Sequence, residues 1–131
     1  MATADASSIS GFRLPVELAP KDGARFHRVI VLVGAGNKYT GMPSPLLSML
    51  GIGPEWTEIF ELADGSRQEY SLAEVRLRID HRERTTICIF GKPESKPVLG
   101  TYTLDGFGLA VDSERRRLIP SGLFLGGASE V

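Results

Sequence analysis

Two glycines one residue apart close an apolar run in Val31-Leu32-Val33-Gly34-Ala35-Gly36, and Gly-x-Gly after a strand lets backbone amides approach a phosphate. The rest of a dinucleotide fingerprint is missing. Its third glycine would fall at Tyr39, whose ring obstructs close helix packing, and Pro43 and Pro45 interrupt the long helix that should hold the pyrophosphate. A phosphate-binding P-loop fails as well. Gly36 and Gly41 have the right separation, but Met42 and Pro43 stand where Lys and Ser/Thr are required. No cofactor is therefore expected. Cys88, between Ile87 and Ile89, reads as a small buried hydrophobe, because a reactive thiol needs an exposed, electropositive setting. His27 and His81 are isolated, which gives no metal-ligand spacing. Asp64, in Ala63-Asp64-Gly65-Ser66, has the ordinary place of the Asp in an Asp-Gly turn.

The elements that position these residues read mostly as strands. Residues 75–80 alternate apolar and charged side chains with period two, a polar turn follows at His81-Arg82-Glu83-Arg84, and residues 85–90 resume as a β-branched and aromatic run. That predicts a hairpin. Just upstream, residues 56–62 and 67–72 flank the Asp-Gly turn and predict another. A third joins residues 12–18 to 25–33 through Pro20-Lys21-Asp22-Gly23, with residues 29–33 apolar without alternation and so expected to be covered on both faces. Ser44 is the expected cap of a short helix with Pro45 in its first turn, an apolar face of Leu46, Leu47, Met49 and Leu50, and Gly51 at its end. A second short helix is expected over residues 104–107. Short apolar pieces follow at 97–100, 109–111 and 118–119.

The chain has 131 residues, 42% hydrophobic and 24% charged, with a net charge of −1, values that fit one soluble globular domain. That charge gives no general attraction to nucleic acid or anionic membranes. Arg76, Arg78, Arg82, Arg84 and Arg115 to Arg117 are interspersed with Glu74, Asp80, Glu83 and Glu114, and no aromatics lie between them to stack bases, so they read as a mixed solvated face. No run approaches a membrane span. Residues 1–10 lack the basic start and apolar core of a secretory signal and are expected to be a polar tail, with a cytoplasmic location. The expected organisation is that tail, a domain over residues 11–120, and a stretch 121–131 that is either a tail or a strand pairing with a second copy.

Taken in order, several segments resemble the retroviral-like (retropepsin-type) aspartic proteases, in particular their bacterial and archaeal members. Leu32-Val33-x-x-Gly36 with Tyr39-Thr40 and Pro43 is similar to the active-site strand and loop, and Leu46-Leu47-x-x-Leu50-Gly51-Ile52 to the helix after it. Leu62-Ala63-Asp64-Gly65-Ser66 resembles the flap hairpin. Val98-Leu99-Gly100, with Leu104 and Gly108-Leu109, resembles the element supporting the loop, and Val111-Asp112 through Leu118-Ile119-Pro120 the closing strands.

The resemblance implies a mostly β fold, a small closed antiparallel barrel with one or two short helices. It also implies a homodimer whose site lies on the two-fold axis, one aspartate coming from each copy. At the family's Asp-Thr-Gly position this chain has Gly34, Ala35 and Gly36. Neither the carboxylate that shares a proton across the pair nor the hydroxyl that ties the two loops together is present. The expectation is a non-catalytic homodimer that binds an extended peptide or acts as a scaffold, with Ala63, Asp64, Gly65 and Ser66 on the peptide and Val98, Leu99 and Gly100 supporting the loop. The competing expectation is an active endopeptidase that has Asp at this position in its working form or uses another carboxylate.

Overall fold

The strand that includes residues 75–79 begins well upstream of the alternation. In the computed structural model, which describes residues 11–122, β5 (Arg67–Ile79) is one 13-residue strand. It pairs antiparallel with both β4 (Trp56–Glu61) and β6 (Arg82–Gly91), so two of the expected hairpins share it. The turn between β5 and β6 is shorter than the four polar residues suggest. Asp80 and His81 make it, Asp80 at φ 55, and Arg82 already belongs to β6; Asp enters that left-handed region more readily than most side chains. Val75, Leu77 and Ile79 face the core. Arg76 and Arg78 face outward, 2.8 Å from Glu83 and 3.0 Å from Glu17.

The third hairpin also forms, from β1 (Phe12–Pro20) and β2 (His27–Val33). Residues 29–33 are not covered on both faces. Val29, Val31 and Val33 are buried, whereas Ile30 is 45% exposed, because a strand in a ring has only its inner face on the core. The ring closes where β1 also pairs with β5 over Glu17–Pro20. Its order is β1, β2, β7 (Val98–Leu99), β3 (Thr40–Pro43), β6 and β5, with β4 hanging on β5 outside it. The sheet is mixed where an antiparallel one is expected: β7 runs parallel to β2, and β3 parallel to β6. Both parallel partners arrive through long excursions of the chain, as parallel pairing requires. β8 (Leu109–Asp112) and β9 (Arg117–Pro120) form a separate antiparallel pair.

The two helices are α1 (Ser44–Met49) and α2 (Thr101–Phe107). Ser44 does not cap α1. Pro43 holds the cap position, and the Ser44 hydroxyl donates instead to the Gly91 carbonyl at 2.6 Å, tying the helix start to the end of β6. α2 begins three residues earlier than expected, carries Gly106 inside it and ends at Gly108 in a left-handed conformation (φ 70). The core inside the ring includes Leu18, Val31, Val33, Met42, Leu47, Leu77 and Cys88, all fully buried. Burial pushes the Cys88 thiol up to about 12, consistent with a hydrophobe in packing and not with a nucleophile. The expected N-terminal tail lies outside the described residues, as does the C-terminal stretch from Leu123 on. No helix among the described residues is long and apolar enough to cross a membrane.

Candidate functional site

The loop between β2 and β3, residues 34–39, leaves the ring beside β1 and β8. Gly34 has φ 81, and a Cβ there would lie 3.3 Å from Val111 Cγ1 and 3.8 Å from the Gly11 Cα. Any side chain at this position therefore starts from a strained backbone and a tight contact. Gly36 also has positive φ, 89, but a Cβ there would meet nothing within 4 Å. Gly34 and Ala35 are half-buried and Gly36 is exposed.

Beneath this loop lies a clamp built within one chain. The amide of Thr101 donates to the Asn37 carbonyl and that of Tyr102 to the Lys38 carbonyl, both at 3.0 Å. Gly100 donates its amide to the Thr40 hydroxyl at 3.0 Å. The Thr40 and Thr103 hydroxyls are 2.6 Å apart, and Thr103 continues to Thr86 at 2.8 Å. Three hydroxyls thus satisfy one another in a row, with Thr40 and Thr103 buried, and a buried amide is paired at one end. Gly100 is required by space alone. A Cβ on it would fall 2.3 Å from the Tyr39 carbonyl carbon and 2.4 Å from the Lys38 oxygen. The Val98-Leu99-Gly100 element thus packs against the loop through its glycine, while Val98 and Leu99 extend β2 in parallel.

Over the loop stands the β4–β5 hairpin. Its tip is held locally: Leu62 donates to Ser66 O at 2.7 Å, Gly65 to Leu62 O at 2.9 Å, and Asp64 Oδ1 accepts from the Ser66 amide at 2.9 Å and hydroxyl at 2.6 Å. Hydrogen bonds from the Ser66 hydroxyl and then its amide hold the Asp64 carboxyl below the usual range. Gly65, at φ 88, takes the left-handed position of the turn.

Between loop and hairpin opens a cleft of about 690 Å³. Gly36, Lys38 and Tyr39 line it from the loop, Phe60, Leu62 and Ala63 from the hairpin. Aromatic rings join the two sides. Tyr39 meets Phe60 edge-on at 5.2 Å between centroids and Tyr102 at 5.1 Å, and Phe60 meets Tyr70 at 5.9 Å. Of the site residues expected at 34–36, 63–66 and 98–100, Gly36, Ala63 and Val98 line this cleft. Asp64, Gly65 and Ser66 form the exposed hairpin tip, and Leu99 and Gly100 are buried behind the loop. The carboxylates lining the cleft are Glu61 and Glu94, and neither lies on the loop.

No protein-family model and no curated protein sequence matches this chain. Solved structures do match. The chain is similar to a retroviral protease, the solution structure of Simian Foamy Virus (mac) protease, with a TM-score of 0.48 and 14% identity over 70% of this chain and 91% of that one.

Sequence reasoning passed over Thr86, Thr103, Phe60, Tyr70, Lys92 and Lys96. For Phe60 and Tyr70 a signal existed. The Asp-Gly turn sets a register in which Phe60 opposes Gln68 and Glu58 opposes Tyr70, which makes the two rings diagonal neighbours on one face. Thr103 joins Thr40 across 63 residues, and no local pattern announces such a pair.

Proposed function

We propose that this chain is a non-catalytic member of the aspartic-protease type, a homodimer that holds an extended peptide between loop and hairpin. One observation carries the reading. The loop at the end of β2 is clamped beneath a hairpin and opens onto a cleft, yet it brings no carboxylate to it. Peptide hydrolysis of the family type needs one carboxylate to activate water and another to protonate or polarise the carbonyl. Gly34 and Ala35 supply neither, and a symmetric dimer lacks both groups at once. Binding needs less. Main-chain hydrogen bonds to a strand edge and pockets for alternate side chains suffice, with Ala63 on the cleft wall, the Asp64-Gly65-Ser66 tip over the peptide, and Val98, Leu99 and Gly100 holding the loop.

The test is incubation of the purified protein with a mixed peptide library at acid and neutral pH. Products are followed by mass spectrometry, retained peptides by affinity capture, and oligomeric state by light scattering. Retention without cleavage, on a dimer, is the expected result. Cleavage blocked by a transition-state-mimicking aspartic-protease inhibitor would overturn it and favour the endopeptidase reading, with Glu61 or Glu94 as the first carboxylates to replace.

A further inference from the structure

We infer that the cleft selects peptides that carry acidic side chains alternating with apolar or aromatic ones, an inference that rests on the reading of this cleft as a peptide site. The warrant is the distribution of charge around it. On the side formed by the body of the chain, Lys38 comes from the loop and Lys92 and Lys96 from the connection between β6 and β7, with Glu94 between them. The hairpin side contributes Glu61. The rim is therefore polarised, basic on the body and acidic on the hairpin. These three lysines make no ion pair among the described residues. Elsewhere several basic residues are engaged: Arg76 with Glu83 at 2.8 Å, Arg78 with Glu17 at 3.0 Å, Lys21 with Glu55 at 2.5 Å. Three ammonium groups against the two carboxylates Glu61 and Glu94 leave the cleft lining net positive in a chain of net charge −1, and charge complementarity assigns it an anionic occupant.

The cleft also has an apolar wall. Tyr39, Phe60 and Tyr70 line it together with Ile89 and Val98. The rings pack edge-on against one another, at interplanar angles of 75° and 64°. An extended peptide presents alternate side chains to opposite sides, so one set can enter the aromatic wall while the other meets the lysines. A single-stranded nucleic acid fits less well. Its charge recurs at every unit and would meet Glu61 and Glu94, and its bases stack on open ring faces, whereas these rings contact one another.

The experiment compares two short fluorescein-labelled peptides by anisotropy at low salt, one alternating Phe and Glu, the other Phe and Gln, with an oligothymidylate as a third probe. The Glu peptide is expected to bind about three- to tenfold more tightly than the Gln peptide, the scale of a few exposed charge pairs. Lys92→Gln with Lys96→Gln, both at exposed positions, should abolish that difference. Equal binding of the two peptides, or a difference that survives the double variant, would defeat the acidic preference and leave the peptide site standing. Binding of neither peptide would defeat both, and tighter binding of the oligothymidylate would reassign the cleft to nucleic acid.

Discussion

The loop under the cleft and the hairpin above it are both short connections with glycines at positive φ, but they are secured by different means. Residues 37–40 are tied to α2 and β6 by long-range bonds: two carbonyls taken up by the Thr101 and Tyr102 amides, a row of three threonine hydroxyls, and Gly100 in van der Waals contact with the backbone. The hairpin tip has partners within four residues of itself, and residues 61–69 are all exposed. A region held by distant parts of the chain opens only when those parts separate, whereas one held by itself can open alone. The floor is thus expected to share the stability of the ring, and the tip of the roof, beyond the Tyr39–Phe60 contact, to open independently of it. Such a division suits a cleft that must keep its shape and still admit a chain from the side.

The largest effect that separates the two regions is expected from a methyl group. Gly100→Ala would set a Cβ 2.3 Å from backbone and should cost about 3 kcal/mol or more by urea denaturation, at the upper end of overpacking effects. Gly65→Ala meets nothing within 4 Å and should cost about 1 kcal/mol through its positive φ alone. Equal costs would erase the distinction between floor and roof. Next comes Thr40→Val, which leaves the Gly100 amide unpaired and takes from the Thr103 hydroxyl one of its two partners, and should cost about 1–3 kcal/mol. Thr40→Ser, which keeps the oxygen, should recover most of that loss, and failure to do so would point to the methyl group and not the hydroxyl row.

The smallest effect concerns pH. Because the Asp64 carboxyl titrates below its ordinary value of 3.8, its contribution to the turn is complete above that value and is lost as pH falls through the lower folded one. Amide exchange at Leu62, Gly65 and Ser66 should therefore accelerate in that acid window while exchange at Gly100 and Thr101 does not. Parallel acceleration at both sets would show that the roof does not open alone.

Much of this division could be read from the sequence on the hairpin side and little of it on the floor. Asp64-Gly65 between two strand-like runs specifies a turn by local chemistry, and the structure forms it within a residue of the expected bounds. The Tyr39-Thr40 and Val98-Leu99-Gly100 segments were marked by resemblance, but the reason for Gly100 became visible only beside Tyr39. Local alternation also did not reveal that one strand serves two hairpins, since period two specifies a face and not the partners on either edge. Ser44 has the composition of a cap and spends its hydroxyl on Gly91, 47 residues away, because Pro43 already sets the helix start. The parallel β2–β7 and β3–β6 pairings lie beyond local reading for the same reason: their partners meet only after the ring has closed.

The burial of Cys88 gives the molecule an internal clock. It is the chain's one cysteine, it sits on β6 opposite Thr40 and Ala73, and its thiol has no access to solvent while those strands stay joined. Alkylation at this single sulfur therefore times the parting of β6 from its neighbours, and any ligand that stiffens the ring should lengthen the interval.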